Sequence, residues 1–131
     1  MSQPEIPPWL REQLARLEQL QQNLQTITLQ KQQVEAELSE VDKALEELNK
    51  SPESDQIYKY AGSLLLRVKR DAILKDLDER KEVANTRNLV LTKQENRFKE
   101  SVRELQTRIE DALRGKTAQQ QQPTPKSDQS N

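Results

Sequence analysis

The segment Asp55-Gln56-Ile57-Tyr58-Lys59-Tyr60-Ala61-Gly62-Ser63-Leu64-Leu65-Leu66-Arg67-Val68-Lys69 interrupts a chain otherwise written in helical periods. Around Gly62-Ser63 the pattern changes from steps of three and four to alternation, which predicts a β-hairpin over residues 56–69. Alternation sends Leu64, Leu66 and Val68 to one face and Leu65, Arg67 and Lys69 to the other. Tyr58 and Tyr60 read as residues that pack an interface, not as ligand contacts. The cations Arg67, Lys69 and Arg70 lack the interleaved aromatics of a nucleic-acid surface and read as a solvated strand edge. An isolated hairpin is marginal in water, and no other strand-like segment in the chain covers this one. The expectation is therefore an oligomer in which hairpins pair edge to edge and close into a β-barrel through Ile57, Tyr58, Tyr60, Leu64, Leu66 and Val68.

Upstream, Leu10, Leu14, Leu17, Leu20, Leu24, Ile27, Lys31, Val34, Leu38, Val41, Leu45 and Leu48 follow one another by threes and fours, and only Lys31 is polar. This is the seam of a coiled coil. The two successive steps of three from Leu14 to Leu20 form a stammer that overwinds it locally. Proline cannot continue a helix, so helix 1 is expected over residues 9–50, after a flexible start at 1–8 that ends in Pro7-Pro8 and before a loop opened by Ser51-Pro52. Downstream, Leu74, Leu77, Lys81, Ala84, Asn88, Leu91, Glu95, Phe98, Val102, Leu105, Ile109 and Ala112 keep unbroken heptads. Helix 2 is expected over 71–115, with Asp71 as its N-cap and Gly115 as its stop. Lys81, Asn88 and Glu95 share one of the two seam positions, which predicts a weakly paired or bent middle. Loop and hairpin occupy 51–70. Residues 116–131, with four consecutive glutamines and no large apolar side chain, read as a disordered tail. Two helices of matched length joined by about 20 residues fold back on each other most simply as an antiparallel pair. The fold class is mainly α: a long antiparallel two-helix coiled coil with one β-hairpin between the helices.

Composition supports this and excludes much else. Hydrophobic residues make up 32%, charged residues 33%, and there are two glycines among 131 residues, which suits long helices and leaves little for a thick core. With 21 basic and 22 acidic side chains, the net charge of −1 gives no polycationic footprint for nucleic acid. Histidine and cysteine are absent, removing the usual general base, thiolate and commonest metal ligands. Asp76 and Asp78, two residues apart, point to different sides of a helix and make no acid pair. Gly62 and Gly115 are too far apart to build a phosphate-cradling loop. No enzyme, cofactor or metal site is expected. No apolar run reaches the length of a membrane span, and the N-terminus lacks the features of a signal peptide, so a cytoplasmic protein is the expectation.

The hairpin segment Asp55 to Val68 resembles the Tyr-Lys-x-x-Gly hairpin of the prefoldin family. With the Gln-rich helix 1 ending in Ala44-Leu45-Glu46-Glu47-Leu48, the resemblance extends over residues 9–115. One hairpin and not two is similar to the beta class of that family, in its archaeal form. The resemblance implies an ATP-independent holdase chaperone: a heterohexamer of two alpha-class and four beta-class subunits whose coiled coils project from a double β-barrel. It implies that unfolded proteins are held at the helix tips and passed to a group II chaperonin. The positions matching the family's client contacts are Ile6, Trp9, Leu10, Leu14 and Leu17 with Leu105, Ile109 and Leu113. Ordinary seam packing is the competing reading for Leu10, Leu14 and Leu17, and for Trp9 it is a staple at the helix start. The Gln-rich tail departs from the shorter endings of archaeal members. A structural coiled-coil spacer that assembles without binding clients is the alternative function.

Overall fold

The structure, a computed structural model, describes residues 6–121, with side chains described through Gly115. Its elements run α1 (Pro8–Lys50), β1 (Ile57–Ala61), β2 (Leu64–Val68) and α2 (Arg70–Gln121). Helix α1 opens where proline costs least, because the first helical amides have no partner within the helix. Pro8 stands in that first turn, and the Arg11 amide donates to the Pro7 carbonyl at 3.0 Å. At the other end the Ser51 amide donates to Glu47 O at 3.1 Å, the Ser51 hydroxyl donates to Leu48 O at 3.0 Å, and Pro52 stops the helix.

Helix α2 departs from expectation at both ends. Its first bond runs from the Ile73 amide to the Lys69 carbonyl, which puts Asp71 inside the first turn and not at the cap. There its carboxylate still faces the positive end of the helix dipole. The helix also continues through Gly115, the expected stop, to Gln121. Glycine disfavours a helix by only ~1 kcal/mol relative to alanine, and no proline follows until residue 123. The expectations for residues 1–5 and 122–131 lie outside the described residues.

Two compact units divide these elements, one within Met1–Thr26 and Glu95–Asn131, the other Ile27–Gln94. The second unit contains the hairpin and two apolar clusters. Val41, Leu48 and Leu77 are buried together, with Ala44, Leu45, Ile57, Ile73 and Leu74 packed against them. Val34, Ala84 and Leu91 form the other cluster, with Ile27 and Leu38 against it. As α1 numbers fall from Leu48 to Val34, their α2 neighbours rise from Leu77 to Leu91, which is antiparallel pairing. In the first unit Leu105 and Ile109 of α2 are buried, and a cleft lined by Arg16, Leu20, Ser101, Glu104, Leu105 and Arg108 sets the two helices side by side.

The strands pair antiparallel from Ile57↔Val68 to Ala61↔Leu64. That register leaves a two-residue loop, Gly62-Ser63. Gly62 has φ +63° and, among the described residues, no non-glycine residue has positive φ, the pattern of a type II′ turn.

Candidate functional site

Cross-strand register decides what the hairpin offers. Ile57, Lys59, Ala61, Leu64, Leu66 and Val68 share one face, and Tyr58, Tyr60, Leu65 and Arg67 share the other. Ile57 is anchored against the Val41–Leu48–Leu77 cluster, so the base of the first face belongs to the coiled-coil core. Beyond it, large apolar side chains stand in solvent on both faces: Tyr60 is 80% exposed, Leu64 62%, Leu65 56%, Tyr58 51% and Leu66 47%. The six residues expected to mediate assembly therefore divide between two faces, with Tyr58 and Tyr60 opposite Leu64, Leu66 and Val68. Leu65 belongs with the tyrosines. The sequence placed it opposite Leu64, Leu66 and Val68 but left it out of the assembly surface, because strand alternation on one strand does not reveal its cross-strand partner. Two polar contacts steady the hairpin: the Tyr58 hydroxyl donates to Gln56 Oε1 at 2.7 Å, and Lys59 lies 3.9 Å from Asp76 of α2.

Arg70, the first residue of α2, ties that helix to the end of α1 and to the loop that follows it. One guanidinium nitrogen donates to Leu48 O at 2.6 Å, and the other to Pro52 O at 2.6 Å, Ser51 Oγ at 2.8 Å and Ser51 O at 3.3 Å. The first residue of α2 thus caps the last turn of α1, satisfying a carbonyl that the helix leaves open and placing a cation at the negative end of its dipole. Nothing local in the sequence marks this role. Its partners lie 18 to 22 positions away, which is why Arg70 read as one more cation of a strand edge.

The three polar seam positions of α2 differ in their surroundings. Lys81 reaches Asp42 of α1 at 2.8 Å, and that hydrogen bond and charge raise the lysine pKa above its ordinary value. Asn88 turns Oδ1 into the seam without a hydrogen-bond partner, whereas Glu95 is 7% exposed with Lys99 at 4.0 Å.

In the first unit, the residues expected to meet clients separate by burial. Ile6, Trp9, Leu14 and Leu113 are exposed, Leu10 and Leu17 are half-buried, and Leu105 and Ile109 are buried. Arg11 donates to Ile6 O at 3.2 Å, fixing the chain before the helix start. Among the described residues no cluster of His, Cys, Asp or Glu is placed to hold a metal ion, and no helix is long and apolar enough to cross a membrane.

Among the described residues, two long helices joined by a single exposed hairpin define a class, a coiled-coil subunit that presents its strands at the junction between its helices. The model of the Prefoldin subunit family matches residues 11–116. A prefoldin subunit beta from Caldivirga maquilingensis is 45% identical over 109 residues, covering 83% of this chain and 90% of that protein. One from Pyrococcus abyssi is 41% identical over 113 residues, covering 86% and 97%. The crystal structure of the prefoldin beta subunit from Thermococcus strain KS-1 superposes with a TM-score of 0.77 at 37% identity, covering 86% of this chain and 98% of that one. The beta2 subunit from the same strain, at 22% identity and a TM-score of 0.63, shares the fold. The chain belongs to the prefoldin subunit family, on its beta side, and is a prefoldin chaperone subunit.

Proposed function

We propose that this chain is one of four beta-class subunits that combine with two alpha-class subunits, hold unfolded proteins without ATP and hand them to a group II chaperonin. The observation that carries the reading is the presence of two exposed apolar surfaces, one in each unit. One is the hairpin, exposed on both faces, in the unit Ile27–Gln94; the other is the set Ile6, Trp9, Leu14 and Leu113, in the other unit. An apolar hairpin requires cover that the described chain does not provide, and partner hairpins supply it by edge pairing. Exposed Trp and Leu side chains offer unfolded chains apolar area without chemical selectivity, as a holdase needs. Half-buried Leu10 and Leu17 join them when the helix ends fray, and Leu105 and Ile109 act beneath as seam residues that hold the surface together. On this reading the protein is not an enzyme, uses no cofactor and works in the cytoplasm, which the lack of cysteine suits.

The test is a mixture with an alpha-class prefoldin subunit, followed by mass measurement and suppression of client aggregation without nucleotide. The expected product is a hexamer that suppresses aggregation. Replacing Trp9 and Leu10 by Ser should weaken suppression and leave the hexamer intact. Assembly with no suppression by the unaltered protein would favour the structural spacer.

A further inference from the structure

Helix α2 carries a second apolar stripe on the side away from its seam. Val83, Thr86 and Val90 follow one another by three and four, on a line begun by Glu79, and Leu89 lies beside them. Val83 is 60% exposed, Leu89 64% and Val90 49%. Valine and threonine are poor helix formers, because branching at Cβ restricts χ1 against the preceding turn, and a solvent-facing helix surface gains nothing from them. Their grouping at helical spacing calls for an occupant.

Charge and size identify its chemistry. One cleft beside Val83 is lined by Glu79, Glu82, Thr86 and Arg87, and a second by Glu37, Asp76, Glu79 and Arg80. Four carboxylates stand against two arginines and Lys59, which lies 3.9 Å from Asp76, so the rim keeps a net acidic charge and favours a cationic partner. A stable subunit interface buries on the order of 800 Å² per partner, more than four side chains supply, so a weak, repeated contact fits this stripe better than a second oligomer interface.

We propose that the Val83–Thr86–Val90 face is a further client-contact surface, one that takes apolar segments of unfolded chains bearing Lys or Arg. This rests on the holdase reading above and extends it from the helix ends to the flank of α2. The natural chain has no cysteine, so single cysteines can carry a photo-cross-linker in the assembled hexamer. The sites are Val83→Cys, Leu14→Cys as the helix-end reference, and Lys43→Cys as a polar control on α1. The probe is reduced, carboxymethylated lysozyme, with its lysine-acetylated form for comparison. Val83→Cys should cross-link the probe well above Lys43→Cys, and acetylation should reduce that yield more than the yield from Leu14→Cys. The double variant Val83→Ser/Val90→Ser should raise the probe's Kd about fivefold, the effect of losing partial burial of two valines, with helicity unchanged. Cross-linking at Leu14→Cys but only at control level at Val83→Cys would overturn the inference and leave the holdase reading standing. Cross-linking at neither overturns both. Products joining Val83→Cys to another subunit, with none to the probe, would make the stripe a subunit interface and overturn the inference.

Discussion

Two residues of the junction show how much can rest on one backbone angle or one side chain. Gly62 occupies the left-handed region with open space around the position where a Cβ would be, so any penalty for replacing it is conformational and not steric crowding from neighbours. Gly62→Ala should destabilise the hairpin by ~1–2 kcal/mol, read as a lower melting temperature of the assembly, and Gly62→Asn by less, since asparagine tolerates that region better. Equal melting temperatures for Ala and wild type would place the turn outside the limiting step. Arg70 is the other case. Arg70→Met keeps the apolar stem but leaves Leu48 O, Ser51 O and Pro52 O without the guanidinium, and should cost ~1–3 kcal/mol in thermal or urea denaturation. Arg70→Lys should recover only part of this, because an ammonium lacks the planar fork that reaches two carbonyl groups on separate nitrogens. Gly62 was legible from its place between alternating runs. Arg70 was not, because a cap supplied from a distant position leaves no local pattern.

At the level of elements, the seams were legible almost residue by residue, because burial on a helix repeats with the period the sequence displays. Val34, Val41, Leu48, Leu77, Ala84, Leu91, Leu105 and Ile109 are buried where the heptads placed them, whereas Leu14, inside the stammer, is exposed. Periodicity says nothing of how a polar seam residue finds a partner. Lys81 solves this with Asp42, while Asn88 leaves an amide oxygen buried and unbonded between the Ala84 and Leu91 layers. Asn88→Leu should therefore raise stability by ~1–3 kcal/mol and slow hydrogen exchange across residues 84–91. A stability unchanged or lowered would show that the amide is satisfied by water or fixes the register of the pair, the role buried asparagine plays in other coiled coils. The far end of α2 escaped prediction for a simpler reason: Gly115 permits a helix stop without requiring one.

For the whole molecule, the hairpin is the surface we propose turns a coiled coil into a subunit. Leu64→Asp with Leu66→Asp charges one face, and Tyr60→Asp with Leu65→Asp charges the other, while neither pair belongs to the buried clusters. Each pair should dissociate the assembly in sedimentation velocity while the helices keep their circular dichroism. If only one pair does so, that face is the inside of the assembled sheet and the other meets solvent. The junction also sets an order of events in folding. Leu48 and Leu77 are separated by 29 positions of chain, Val34 and Leu91 by 57, and the cleft residues Leu20 and Leu105 by 85. Loop-closure entropy grows with each of these separations, so contacts next to the turn close at the lowest cost and shorten the effective loop for the next. The expected order of folding therefore runs from Gly62 outward, with Trp9 and Leu113, which meet clients on the reading proposed above, among the last positions to pack and the first to fray; pulsed hydrogen exchange checks this by whether protection appears first beside the turn.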